Sequence, residues 1–249
     1  MGDGERMKPK VVIVAGGLAT RMRPVTEDMP KCMLDVNGKP LVQHQMEFFR
    51  KNGFYNFIFC IMHLGEKVES FFKDGSDFGV KIEYSHEDRL FGTAGAVKLV
   101  EGIAGDTCIV FYGDNLTSMN FDSLLEFHRA RESDFTVVSQ QIPKGKITSS
   151  LLTLGDTGKI TLFIEKPEES AFETSNALYY NRGIYVMNKN IFSLIPKNAK
   201  YDFGHDLIPD LVKRGLNIYA YVTDEFFHEF GRPEKYRKFL AEFKNKRVL

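Results

Sequence analysis

The sequence predicts an α/β fold built on a mixed, mostly parallel sheet flanked by helices. Three observations carry this prediction. Short apolar runs without polar alternation recur at residues 11–15 (VVIVA), 57–62 (FIFCIM) and 108–112 (CIVFY), the pattern of strands buried on both faces of a parallel sheet. Helix-forming stretches separate them, as parallel crossovers demand. Glycine-containing turns close the first and third runs, Gly16-Gly17 and Gly113-Asp114-Asn115, at the sheet edge where open α/β folds bind ligands.

After the first strand and its loop, residues 40–52 place Leu41, Val42, Met46, Phe48 and Phe49 at helical spacing, and Gly53 stops the helix. The strand at 57–62 is followed by a short helix at 65–72 carrying Val68, Phe71 and Phe72, then a strand at 80–84. The small residues of Gly92-Thr93-Ala94-Gly95-Ala96 predict a close approach of backbone to a ligand. Beyond the strand at 108–112, residues 121–131 form an amphipathic helix and 135–140 a strand with more alternation.

The second half reads as shorter strands and turns. Residues 151–154 and 160–164 flank Gly155-Asp156-Thr157-Gly158, a hairpin signal. A strand over 177–187 contains Gly183, which predicts a bulge or room for a ligand. Short helices at 191–194 and 206–213, a strand at 218–222 and a closing helix at 234–244 complete the chain. Pro233 can open that last helix, and Tyr236, Phe239, Leu240 and Phe243 fall on one face of it. The expected organisation is one domain over 8–249, with a first half at 8–140 and a smaller β-rich half at 141–249.

Composition excludes several classes. The 249 residues are 43% apolar and 27% charged, ordinary for a globular protein. Lysines plus arginines number 33, as do aspartates plus glutamates, so no global field favours nucleic acid or an anionic membrane. Cys32, Cys60 and Cys108 lack C-x-x-C pairing and read as reduced thiols. No apolar run approaches the roughly 18 residues of a membrane span, and the polar leader at 1–10 carries Arg6 where a myristoylation signal needs Ser or Thr. A cytoplasmic location is expected. The six histidines show no ligand spacing, and neither a Walker loop, G-x-G-x-x-G nor G-x-S-x-G is present.

What remains is a local anion site. Arg21, Arg23 and Lys31 follow Gly16-Gly17 within one loop, with only Glu27 and Asp28 as nearby acids. Crowded cations repel one another unless solvent or an anionic ligand screens them. Asp114 at a strand terminus is suited to Mg²⁺, a hard ion that takes carboxylate and phosphate oxygens, although Gly-Asp-Asn is equally turn chemistry. Glu165-Lys166-Pro167 and Asn181-x-Gly183 are weak signals taken singly.

Together these residues resemble the sugar-phosphate nucleotidyltransferases, or NDP-sugar pyrophosphorylases. The opening signature is present as Gly16, Gly17, Thr20-Arg21, Pro24, Pro30-Lys31 and Lys39-Pro40, and the last motif, Asp-Ile-Gly-x-Pro in the family, as Glu229-Phe230-Gly231-Arg232-Pro233. The resemblance runs from about residue 11 to 243 and implies a Rossmann-like nucleotidyltransferase fold. It implies nucleotide contacts from Ala15, Gly16, Gly17, Leu18, Ala19, Thr20, Glu87, Gly92, Thr93 and Gly113, and catalytic roles for Arg21, Lys31 and Asp114. Asp114 and Glu229 would hold Mg²⁺, while Asn115, Glu165, Lys166, Asn181 and Gly183 would bind the sugar phosphate. The implied substrates are a nucleoside triphosphate and a sugar 1-phosphate.

The Leu-Gly-Thr-Ala-Gly-like loop and Phe226-Phe227 are similar to the mannose and heptose 1-phosphate branch, which favours GTP. Cytidylyl or thymidylyl transfer, a phosphocholine acceptor and a non-catalytic nucleotide-sugar-binding homologue are the alternatives. Two departures stand out: Ala19 replaces a third glycine, which would stiffen or crowd the loop, and Glu229 replaces the usual second aspartate. Without a hexapeptide-repeat region, the longer acetyltransferase-bearing members are not expected. Family members of this length often assemble into homo-oligomers, but no exposed stripe predicts an interface.

Overall fold

The computed structural model describes residues 8–172, 178–244 and 249. In chain order the strands and α-helices are β1 (Lys10–Val14), β2 (Asp35–Val36), β3 (Lys39–Pro40), α1 (Leu41–Lys51), β4 (Asn56–Ile61), α2 (Gly65–Phe72), β5 (Lys81–His86) and α3 (Gly92–Lys98). There follow β6 (Thr107–Tyr112), β7 (Asn115–Thr117), α4 (Phe121–Ala130), β8 (Phe135–Gln141), β9 (Ser150–Leu154), β10 (Ile160–Glu165) and β11 (Tyr179–Asn188). The chain closes with α5 (Ile208–Lys213), β12 (Ile218–Val222), β13 (Phe227–Glu229) and α6 (Pro233–Phe243).

Nine strands form one sheet with the path β10-β9-β11-β6-β1-β4-β5, and β8 branches from β11 and carries β12 on its other side. The pairs β6/β1, β1/β4 and β4/β5 are parallel, while β11 runs antiparallel to β6, β8 and β9. The predicted mixed, mostly parallel sheet is therefore present. The unbroken apolar runs have the cause predicted for them, since each feeds two cores. Val12, Ile58, Cys60, Cys108 and Val110 face one cluster, which α3 and α5 cover through Ala94, Val97, Ile208 and Leu211. Val11, Ile13, Phe57, Phe59, Ile109 and Phe111 face the other, covered by α1, α2 and α4 through Phe49, Phe72 and Leu124.

A third, smaller core lies off the sheet. It joins Met22, Leu34, Val36 and Leu41 from the segment after β1 to Leu116 of β7, Phe230 and Phe239 of α6. Tyr236 strengthens this junction by donating its hydroxyl to the Asp35 carbonyl at 2.6 Å. The C-terminal helix thus anchors the loop that carries the predicted anion site.

Several boundaries differ from the sequence prediction. Residues 92–96 open α3 rather than forming a loop, and Gly92 and Gly95 lie against the chain's own backbone. A Cβ at Gly92 would meet the Tyr201 carbonyl oxygen at 2.7 Å, and one at Gly95 the Ala199 carbonyl oxygen at 3.1 Å. The helix predicted at 206–213 starts earlier, with a π-helical turn at Phe203–Leu207 preceding α5. Residues 191–194 lie in a 3₁₀ helix, Lys189–Leu194. The strands β7 and β13 are too short to leave a periodic signal, yet they pair antiparallel as a separate ribbon. The strand predicted from Ala177 starts outside the described residues; its described part is β11, interrupted in its register with β8 between Asn181 and Tyr185, where Gly183 has φ 68°. The polar leader at 1–7 also lies outside the described residues.

Candidate active site

The predicted residues of the first half lie at the carboxyl edge of the parallel strands. Ala15 leaves β1 by donating its N–H to the Cys60 carbonyl at 2.9 Å, and Gly113 leaves β6 by donating to the Val14 carbonyl at 3.0 Å. Gly113 is needed there, because a Cβ would lie 3.2 Å from both Cys32 Cβ and Ile13 Cγ2. Between these exits runs the loop of Gly16, Gly17, Leu18 and Ala19, then a 3₁₀ turn at Thr20–Met22. Gly17, Leu18 and Thr20 are exposed, as is Arg21, whereas Met22 anchors the turn in the third core.

Ala19 has φ 49° and ψ 30°, in the left-handed region. Its carbonyl accepts hydrogen bonds from Met22 N–H at 2.9 Å and from the buried Thr26 hydroxyl at 3.0 Å. This is backbone that glycine enters freely and an L-residue only at a cost.

Lys31, in the turn Lys31–Met33, is half-buried and ion-paired with Asp114. Of the three cations in the loop, it is the one that meets a carboxylate from across the sheet edge. Arg21 and Arg23 stay at the surface. Asp114 in turn stands beside Glu229, because Glu229 is the register partner of Asn115 and Phe230 donates its N–H to the Asp114 carbonyl at 3.0 Å. Glu229 also contacts Lys235 at 3.6 Å. Two predicted metal carboxylates 115 positions apart in sequence are thus brought to one end of the β7/β13 ribbon.

Glu87 lies on the other flank of the glycine loop, buried. Its N–H donates to the Ile61 carbonyl at 2.9 Å, and its carboxylate accepts weakly from Phe91 N–H at 3.4 Å. Burial pushes the carboxyl up to about 7, with the Phe91 hydrogen bond pulling it back. A Cβ at Gly16 would meet Glu87 Oε1 at 2.4 Å, so the first glycine of the pair makes room for this carboxyl. Thr93 is held by Asp202, to which its N–H donates at 2.9 Å and its hydroxyl at 3.2 Å.

The remaining predicted residues lie in the second half of the chain. Glu165 ends β10 and is half-buried; burial pushes its carboxyl up, His205 and Lys166 pull it down, and Asp202 pushes it up again. Gly204 leaves room for it, since a Cβ there would lie 2.5 Å from Glu165 Oε2. Lys166 is exposed, with φ 50° and its N–H donated to the Ser149 carbonyl at 2.8 Å. The Asn181 amide donates to the Tyr185 hydroxyl at 2.7 Å, and its oxygen accepts from Gly183 N–H at 2.8 Å. Asn115 donates its amide to the Arg182 carbonyl at 3.0 Å. Both amides thereby fasten the bulge of β11.

Two residues that touch the predicted ones escape the sequence reading. Asp202, which orients Thr93, looks in the text like an ordinary residue before a helix. Arg182, whose guanidinium lies 3.9 Å from the centre of the Phe227 ring, occupies the variable position of Asn-x-Gly, and the only signal for it is the bulge glycine that follows. Among the described residues no group of three or more His, Cys, Asp or Glu side chains could hold a metal ion, and no helix is long and apolar enough to cross a membrane.

A family profile described as nucleotidyl transferase matches residues 10–246. The chain belongs to the nucleotidyl transferase family. Within this family it is 33% identical over 240 residues to a UTP–glucose-1-phosphate uridylyltransferase of Synechocystis sp., covering 91% of this chain and 61% of the relative. It is 30% identical over 227 residues to a mannose-1-phosphate guanylyltransferase of Mycobacterium tuberculosis, covering 90% and 62%. The nucleotidyl transferase chain thus spans about three fifths of the length of these curated relatives. The crystal structure of HddC from Yersinia pseudotuberculosis superposes with a TM-score of 0.80 at 25% identity, covering 95% of this chain and all of that one. The same protein is also known in complex with GMP-PN, with a TM-score of 0.79 at 25% identity.

Proposed function

We propose that this nucleotidyl transferase joins a nucleoside triphosphate, GTP by preference, to a sugar 1-phosphate, giving an NDP-sugar and pyrophosphate. The observation that supports this best is the Lys31–Asp114 ion pair where β6 ends, with Glu229 on the strand that pairs with the residue following Asp114. In this reading residues 8–140 bind the nucleotide and 141–249 the acceptor. The acceptor phosphate oxygen attacks the α-phosphorus in line and pyrophosphate departs, so no side-chain nucleophile is required. Backbone N–H groups of Gly16 to Thr20 and the Arg21 guanidinium hold the β- and γ-phosphates. Lys31 stabilises charge growing on the α-phosphoryl oxygens. Lys166 neutralises the incoming acceptor phosphate, and Glu165 with the bulge at Asn181 and Gly183 meets the sugar.

Asp114 and Glu229 would hold Mg²⁺. Two carboxylates, in no group of three or more His, Cys, Asp or Glu among the described residues, suit a hard cation that completes its shell with water and phosphate oxygens. When bound, Mg²⁺ neutralises charge on the phosphate oxygens. The preference for GTP is supported by Glu87: an ionised carboxylate can accept both N1–H and the exocyclic N2–H of guanine. Uracil offers a single N–H there, flanked by carbonyl oxygens that a carboxylate repels. The match to a uridylyltransferase makes UTP the competitor to test.

Pyrophosphate release from GTP, UTP, CTP and dTTP, each paired with mannose 1-phosphate, glucose 1-phosphate and phosphocholine, tests the proposal. The expected result is turnover with a sugar 1-phosphate, fastest with GTP, that disappears in Asp114→Ala. Silence across the panel favours the non-catalytic nucleotide-sugar-binding reading.

A further inference from the structure

β11 leaves its ladder with β8 between Asn181 and Tyr185, and Gly183 stands in that gap at φ 68°. A bulge bends a strand and re-aims a side chain, and the side chain re-aimed here is Arg182. Its carbonyl accepts the Asn115 amide at 3.0 Å. Its guanidinium lies 3.9 Å from the ring centre of Phe227 and 4.7 Å from that of Tyr180. Asn115 follows Asp114 directly, and Phe227 and Glu229 lie two apart on β13, which places their side chains on one face of the ribbon. Arg182 is therefore the residue of the acceptor strand that touches the ribbon from both of its strands. Burial pulls its pKa down, while Tyr180 and then Glu229 push it back up.

We infer that Arg182 is a positioning residue: stacked on Phe227, it braces β13 against the bulge of β11 and holds Glu229 beside Asp114. The inference rests on the proposed assignment of those two carboxylates to the cation. It explains a combination that a surface arginine does not need, a planar cation laid on an aromatic face while its own carbonyl is tied to the neighbouring strand. Arginine fits this role better than lysine, because the flat guanidinium can stack and donate at once, whereas an ammonium is a compact charge. Through this brace the strand proposed to meet the sugar also sets the carboxylate proposed to hold the metal.

Mn²⁺ alone, titrated into the full ligand-free chain and followed by loss of its free electron-paramagnetic-resonance signal, tests the brace. Glu229→Ala weakens Mn²⁺ binding, and Arg182→Ala and Phe227→Leu each weaken it at least threefold. The double variant binds no more weakly than the worse single one, since both changes remove one contact. Arg182→Lys restores less than half of the loss. A shift below threefold in Arg182→Ala while Glu229→Ala weakens binding overturns the inference, as do multiplying effects in the double variant or full rescue by lysine. Unchanged Mn²⁺ binding in Glu229→Ala overturns the cation assignment itself, and the inference falls with it. If Arg182→Ala does not fold, Arg182→Met keeps the apolar stem and is read by the same threefold criterion.

Discussion

Lys31 closes on Asp114 across the carboxyl edge of β1 and β6, pairing the cation proposed for the α-phosphate with the carboxylate proposed for the metal. The phosphate and the cation proposed for these two groups compete with the pair itself. A partly exposed ion pair is worth on the order of 1 kcal/mol, about fivefold in an equilibrium constant. Lys31→Ala is therefore expected to bind Mn²⁺ several-fold tighter than the native chain without nucleotide, as read by calorimetry. Its pyrophosphate release should fall by about 10²- to 10³-fold, as when one charge-stabilising donor is removed. Equal or weaker Mn²⁺ binding would mean that the lysine does not guard the carboxylate.

Glu87 carries a pH dependence whose sign follows from its burial. Its carboxyl sits at about 7 in the folded chain, above its unfolded value. The stability it contributes is present in full below pH of about 4.5 and is lost as pH rises through about 7. Relative to Glu87→Gln, the native chain should lose a few kcal/mol between about pH 5 and 8, measured by denaturant unfolding of both proteins without ligand. Guanine recognition runs the opposite way. The ionised carboxylate accepts two N–H groups, so GTP affinity should fall as pH drops below about 7, and Glu87→Gln should narrow the margin of GTP over UTP. A glutamine variant with the native margin would remove Glu87 from base selection.

The central strands are legible because burial on both faces leaves no polar position in 11–15, 57–62 or 108–112. The bulge is legible because Gly183 interrupts an otherwise strand-forming run. The ribbon of β7 and β13 is not, since three residues per strand carry no measurable period and their pairing joins residues far apart in sequence. For the same reason the sequence offers Asp114 and Glu229 as members of separate motifs, and only the fold brings them together. The glycines of 92–96 show another limit of the sequence. A small residue reports that something comes close, and here the neighbour is the backbone at 199–201.

Gly16 and Gly17 look equivalent in sequence and are not equivalent in space. A Cβ at Gly16 would stand 2.4 Å from Glu87 Oε1 and 3.3 Å from Met62 Cβ, whereas one at Gly17 would meet nothing within 4 Å. Gly16→Ala must displace the Glu87 carboxyl, so it should lower GTP affinity and cost about 1–3 kcal/mol of stability, as overpacking of a filled site does. Gly17→Ala should leave the unfolding midpoint within about 0.5 kcal/mol of native, as open surface positions do. Thermal unfolding of the two variants side by side checks this, and equal losses would contradict it.

Ala19 holds the loop in a conformation that suits glycine better. With φ 49° and ψ 30° it lies in the left-handed region, where a Cβ costs roughly 1–2 kcal/mol. Glycine at that position removes this cost but adds about 0.4–1 kcal/mol of freedom to the unfolded chain. Ala19→Gly should therefore be stabilising by up to about 1.6 kcal/mol, the difference between these two effects. Ala19→Val should be destabilising by more than the alanine cost, because a β-branched residue is a true outlier at positive φ. The Thr26 hydroxyl, which donates to the Ala19 carbonyl at 3.0 Å, gives an independent check. If that bond holds the turn, Thr26→Val should cost about 1 kcal/mol, and Ala19→Gly should recover part of the loss. Denaturant midpoints of the four variants measure all of this, and a glycine variant less stable than native would show that the left-handed alanine carries no cost.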